Sequence, residues 1–255
     1  MKTMKSILAA VILSAAAATT ARADTIRLGL DSAPYDPFYS RTAGGEWKGF
    51  EIEVGDALCK AMNEECEWVP IAWDGIIPAL TSNQIDAIVG SMSITEERMK
   101  TIDFSNKYYN TPAALIAPKS MEIKSIEDLK GKTVGVQVST THANFAEAKM
   151  DGATIKTYQD FNEHNQDLFA GRIDAVAADS LALDPFLKSK EGESMEVKLT
   201  FEDDAIFGPG VGAGIRKGDT ELKDKFNKAI AQILEDGTYD EIAKKYFDFD
   251  IYGGR

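Results

Sequence analysis

Short apolar runs and longer amphipathic stretches alternate along the chain. Runs at 25–30 (TIRLGL), 66–71, 86–91, 133–138 (TVGVQV), 154–157, 174–178 (DAVAA) and 211–215 have the length and side-chain content of strands. Between them, 50–63, 74–81, 141–150, 161–171 and 181–190 show helical spacing, and 220–247 reads as two amphipathic helices broken at Asp236-Gly237. Strands separated by helices of this length make βαβ units and largely parallel sheets, hence an α/β fold. An internal echo divides the pattern. LTSNQIDAIVGSM (80–92) matches LFAGRIDAVAADS (168–180): each is a helix end, a turn at Ile-Asp-Ala and a buried strand closing on a polar residue, Ser91 or Asp179. The plain alternative is a common helix-to-strand turn used twice. Read as repetition, the echo predicts two similar α/β lobes. Lobe 1 takes 24–109 and 212–255, lobe 2 takes 114–206, and strand-like hinge crossings fall at 110–113 and 207–211.

The first 23 residues stand outside this pattern. A basic start (Lys2, Lys5), an apolar core over 7–18 and Ala21-Arg22-Ala23 read as a secretory signal peptide cut before Asp24. The apolar core is too short to span a bilayer. Export sets an oxidising compartment, where the two cysteines, Cys59 and Cys66, are expected to pair and staple a helix-to-strand turn. Two buried thiols are the alternative. Two cysteines and two separated histidines give no metal-ligand spacing, and no cofactor is implied. Removing the leader takes the formal charge from −13 to about −16. Such a surface disfavours nucleic acid and anionic membranes as partners.

In open α/β sheets ligands bind beyond the carboxyl ends of the strands, so the residues standing there carry the chemistry. They are Asp31 and Tyr35, then Trp73, then Ser91, Ser93 and Arg98, then Ser139, Thr140, Thr141 and His142, then Asp179. An α-amino acid needs this set. Its carboxylate wants a forked guanidinium and helix N-terminal donors, which Arg98, Ser93 and the helix opening at Thr140 supply. Its ammonium wants an anion, Asp179. Tyr35 and Trp73 would sandwich the side chain. Asp31 is left unpaired unless the ligand carries a second, distal positive charge. Simpler roles exist for each. Thr95, Glu96 and Glu97 are explained as helix-start chemistry alone. Arg98 could be a surface residue, Asp31 and Asp179 strand-end caps, Trp73 core and His142 an ordinary helix-face residue.

At these residues the sequence resembles the periplasmic amino-acid-binding proteins of ATP-driven importers, family 3 of the bacterial extracellular solute-binding proteins. Its nearest branch is the one binding lysine, arginine, ornithine and histidine. GFEIEVGDALCKAM (49–62), WDGIIPAL (73–80), IDAIVGSMSITEER (85–98), TVGVQ, AGRIDAV (170–176), GVGAGIRKGDTELK (210–223) and DGTYDEIAKKYFD (236–248) carry the likeness. It implies a type II binding-protein fold closing on its ligand, with a membrane permease as partner, a monomeric state and a periplasmic location. The ligand-contact set it implies is Asp31, Tyr35, Trp73, Gly90, Ser91, Met92, Ser93, Arg98, Gln137, Ser139, Thr141, His142 and Asp179. There are departures. The Asp31–Tyr35 loop is one residue longer than the family pattern, Trp73 is bulkier than the expected phenylalanine, Gly90 replaces a serine, which opens space, and His142 replaces a glutamine-like side chain. WDGII resembles relatives that bind opines, the larger arginine conjugates, so an opine or glutamine is the alternative ligand. An enzyme resembling cyclohexadienyl dehydratases is the alternative of another class. It needs a general acid in the cleft, and both strand-end aspartates are already assigned.

Overall fold

The computed structural model describes residues 25–254. The expected leader lies outside the described residues. The first lobe begins with β1 (Ile26–Asp31), a small ribbon of β2 (Ser40–Arg41) and β3 (Trp47–Lys48), α1 (Phe50–Met62), β4 (Cys66–Ile71), α2 (Ile76–Thr81), β5 (Ala87–Ile88), α3 (Glu96–Met99) and β6 (Ile102–Tyr109). The second holds β7 (Ala113–Pro118), β8 (Thr133–Gln137), α4 (Thr141–Lys149), β9 (Thr154–Tyr158), α5 (Phe161–Phe169), β10 (Ala175–Asp179), α6 (Ser180–Leu187), β11 (Met195–Phe201) and α7 (Asp204–Phe207). The chain then returns as β12 (Val211–Arg216), α8 (Thr220–Glu235) and α9 (Thr238–Ala243).

Two five-stranded sheets result, in the orders β4-β1-β5-β12-β6 and β11-β7-β10-β8-β9. They are mixed rather than largely parallel. β1 runs parallel to β4 and β5, and β8 parallel to β9 and β10. β12 runs antiparallel to β5 and β6, and β7 antiparallel to β10 and β11. The antiparallel strands are those where the chain changes lobe: β7 enters the second lobe and β12 re-enters the first.

The Ile-Asp-Ala echo has a shared structural job. Asp86 donates its N–H to Arg27 O (2.8 Å) and accepts from Arg27 N (3.0 Å). Asp174 makes the same pair with Thr133, at 2.9 and 2.7 Å. In each lobe the aspartate thus closes a two-bond ring onto the first residues of a neighbouring strand, which anchors where the following strand begins.

Helices cover the sheets through one apolar stripe each. α8 buries Phe226, Ala229, Ile230 and Ile233 at helical spacing. α1 buries Phe50, Ile52, Val54 and Leu58. Cys59 near the end of α1 and Cys66 opening β4 form a disulfide, with their Cα atoms 6.2 Å apart. Asn63 supplies the left-handed turn between them. Among the described residues, no helix is long and apolar enough to cross a membrane.

The two passages between lobes lie side by side. β6 ends at Tyr109, which pairs with Val211 at the start of β12. Val211 also bridges to Ser93 in the loop after β5.

Candidate binding cleft

The carboxyl ends of β1, β5, β8 and β10 face one another across a cleft between the lobes. It encloses about 480 Å³ of space not filled by protein atoms, part of it continuous with solvent. Asp31, Tyr35, Trp73, Gly90, Ser91, Ser93 and Arg98 line it from the first lobe, and Gln137, Thr141, His142 and Asp179 from the second.

Arg98 sits one turn into α3 because Thr95 caps that helix, its Oγ1 accepting from Arg98 N at 3.2 Å. The guanidinium turns inward. It donates to Ser93 O (2.9 Å) and, across the cleft, to Ser139 O (3.2 Å), and lies 5.6 Å from the centroid of the Trp73 ring. This is not a surface arginine. Burial lowers its pKa to about 10, opposed by the charge of Asp179, so it remains a cation at neutral pH. Trp73 donates its indole N–H to the same Ser139 carbonyl at 3.2 Å.

Asp179 ends β10 almost fully buried. Burial raises its carboxyl to about 6, tempered by the Tyr35 hydroxyl and by Arg98. The Tyr35 hydroxyl donates to Asp179 Oδ2 at 2.6 Å. Tyr35 packs its ring against Phe161 edge-on at 4.9 Å and stacks against Phe38 at 5.7 Å. His142 Nε2 lies 3.7 Å from Asp179 Oδ1. That is beyond hydrogen-bond reach. Burial, aided by Arg98, pushes His142 down to about 3, so it stands there as a neutral ring.

Asp31 is not left unpaired. Its Oδ2 accepts from Gln137 Nε2 of the opposite lobe at 2.9 Å, and its Oδ1 from Ala33 N at 3.2 Å. Gln137 Nε2 also donates to Gln159 O at 3.2 Å. Burial raises the Asp31 carboxyl above its ordinary value, and these donors hold the rise back. At the helix opening, Thr140 is the cap of α4, accepting from Ala143 N at 3.1 Å and donating to Gln137 O at 2.7 Å.

Some expected contacts stand differently. Ser91 lines the cleft, but its hydroxyl is held from behind. Its N and Oγ donate to Glu51 Oε2 at 2.8 and 3.1 Å, and Oγ lies 2.5 Å from Tyr109 OH. Glu51 is fully buried and also accepts from Tyr108 OH and, at 2.7 Å, Tyr109 OH. Ser91 and Ser139 both adopt left-handed backbones, φ 59° and 60°. Such strain outside glycine concentrates at functional sites. Met92 lies outside the lining, packed in the core cluster with Trp73 and Ile76. Ser139 contributes its carbonyl. Gly90 is a close approach rather than an opening: an added Cβ would meet Leu30 Cα at 3.1 Å. Thr140, Tyr39, Phe161 and His164 also line the cleft. Thr140 belongs to the strand-end set of the sequence; Tyr39, Phe161 and His164 do not. For Phe161 and His164 a signal exists. The inward face of α5 reads Phe161, His164, Asn165, Leu168, two polar residues on an apolar stripe.

Two mixed α/β lobes with a polar cleft at their facing strand ends define the type II periplasmic binding-protein fold. Residues 26–249 match the bacterial extracellular solute-binding proteins, family 3, and the chain belongs to that family. It is 43% identical to the L-arginine-binding protein of Pseudomonas aeruginosa, over 97% of this chain and 98% of that one. It is 41% identical to the lysine/arginine/ornithine-binding periplasmic protein of Escherichia coli, over 98% and 99%. The solved structure of an ancestral arginine-binding protein bound to arginine superposes with a TM-score of 0.81 at 38% identity, covering 88% of this chain and 98% of that one.

Proposed function

We propose that this protein captures a cationic amino acid of the arginine, lysine, ornithine or histidine type in the periplasm. It hands the ligand, chemically unchanged, to the membrane permease of an ATP-driven importer. The carrying observation is charge balance. The cleft presents two carboxylates, Asp31 and Asp179, and one guanidinium, Arg98, while His142 and His164 are held neutral. The fixed charge is therefore −1. A ligand with one carboxylate and two cationic groups balances it. A neutral zwitterion leaves Asp31 uncompensated in a low-dielectric site, which is costly.

In this reading Arg98, Ser93 and the α4 opening at Thr141 hold the α-carboxylate, Asp179 holds the α-ammonium, and Asp31 takes the distal charge. The aromatic rings of Tyr35 and Trp73 flank the ligand's stem. The crossings at 110–113 and 207–211 act as the hinge. The names of the relatives support the ligand class.

A thermal-shift screen over basic, amide and acidic amino acids and opines tests this. At 100 times Kd a ligand stabilises by roughly 2.7 kcal/mol. A large upward shift with arginine, lysine or ornithine is expected. Shifts confined to glutamine or opines would replace the ligand assignment. Conversion of prephenate or arogenate by the purified protein would overturn the non-enzymatic reading.

A further inference from the structure

His164 is one of two histidines in the chain and has no solvent exposure. It projects from the inward face of α5, a position where leucine or isoleucine would pack without polar cost. Its Nδ1 lies 3.1 Å from Asn165 Oδ1. An amide oxygen only accepts, so the proton sits on Nδ1 and Nε2 keeps a lone pair. Among the described residues that Nε2 has no hydrogen-bond partner.

The surroundings explain why. Gly135 lies close beneath the side chain: an added Cβ there would meet His164 Cβ at 3.1 Å. The rings of Phe161 and Tyr158 pack edge-on, at 5.0 and 6.0 Å. The Tyr158 hydroxyl is already committed to Asp167 at 2.6 Å. No donor is offered from these sides. The lining of the cleft includes His164 together with Asp31 and Gln137. An unsatisfied buried acceptor is costly, so a group arriving in the cleft gains by supplying the missing donor.

We propose that His164 is a specificity-determining contact, its Nε2 accepting a hydrogen bond from an N–H group on the ligand's side chain. The proposal rests on the reading of the cleft as an amino-acid site, and it narrows the ligand to side chains bearing nitrogen donors, such as a guanidinium or amine. The role differs from that of Asp31, which rewards positive charge. His164 stays neutral because burial holds its pKa near 3, so it rewards a donor whether or not the donor is charged.

The test combines spectroscopy on the wild type with calorimetry on variants. The two histidines make the ¹⁵N imidazole spectrum simple, and His142→Gln assigns it. Adding arginine should shift the unprotonated Nε2 resonance of His164 upfield, as that nitrogen gains a hydrogen bond. A resonance that does not move while arginine binds overturns the proposal. In calorimetry, His164→Phe keeps a ring and removes both nitrogens. It should weaken arginine at least tenfold, and His164→Gln, which restores an acceptor, should recover part of that loss. Equal weakening in both variants, or none, overturns the proposal. A wild-type protein that binds no amino acid at all instead sinks the amino-acid reading, a result visible in the first titration.

Discussion

The Tyr35 hydroxyl donates to the Asp179 carboxylate at 2.6 Å, joining a loop of one lobe to a strand end of the other. The bond stabilises an anion that burial otherwise disfavours, and it forms only when the lobes meet. Closure and readiness for an ammonium are therefore the same event at this point.

A pH dependence follows. Burial lifts Asp179 to about 6, and the ligand's ammonium requires the anion. Affinity should be full above pH 7 and fall as the pH drops through 6, approaching tenfold per unit. Tyr35→Phe removes a bond that favours the anion, so its midpoint should move upward. Calorimetry from pH 5 to 8 measures both. In the ligand-free protein the sign for folding is opposite. The folded state holds a proton that the unfolded chain releases above 3.8, so this group's contribution to stability declines as pH rises from 3.8 to about 6.

Arg98→Ala should abolish useful binding. Truncating one partner of a buried charge pair costs about 2–5 kcal/mol, at least an order of magnitude in Kd. Arg98→Lys should also be weak, because a single ammonium cannot reproduce two donations to carbonyls and a forked grip on a carboxylate. Retained micromolar arginine binding in the alanine variant would remove Arg98 from the clamp.

Asp31 and Gln137 meet across the cleft at 2.9 Å. Asp31→Asn should weaken arginine and lysine by roughly ten- to a hundredfold, the worth of a hydrogen bond to a charged group, while glutamine changes little. Equal losses for all three ligands would argue that Asp31 serves closure alone. Gln137→Leu separates the roles: it removes the inter-lobe bond and leaves the carboxylate for the ligand.

Glu51 predicts a defect at a distance. Its carboxylate is the common acceptor for Tyr108, Tyr109 and the backbone and hydroxyl of Ser91. Glu51→Ala leaves several buried donors without it, at roughly 1–3 kcal/mol each. Glu51→Gln keeps the shape and one acceptor. Denaturant melts should rank wild type above glutamine above alanine. Arginine affinity should fall in the same order, since Ser91 loses its support behind the cleft wall. A destabilised alanine variant with unchanged affinity would confine Glu51 to the core.

Much of this was legible in the sequence, and the failures have physical causes. The helices at 50–62 and 220–235 were readable because each buries one periodic stripe. β11 was not, because its burial follows no period of two and a bulge interrupts it between Val197 and Leu199. β6 and β7 escape the pattern except at the crossing over 110–113, since strands flanking a short link carry no helix to punctuate them. In the cleft, strand-end logic found Asp31, Arg98 and Asp179, whose positions follow from topology. It missed Phe161 and His164, which enter from the side of a helix and look like core. It also could not show that Ser91 turns its hydroxyl away, because that depends on Glu51, forty residues earlier.

The pairing of Tyr109 with Val211 has a mechanical consequence. It ties together, inside the first sheet, the points where the two links leave and rejoin that lobe, so the proposed hinge has one shared anchor. The bridge from Ser93 to Val211 ties the cleft wall to that anchor, so the proposed closure is expected to follow one angle. One dye pair, a label on each lobe, should read that angle as a single distance, which makes the chain a candidate optical sensor for its own ligand.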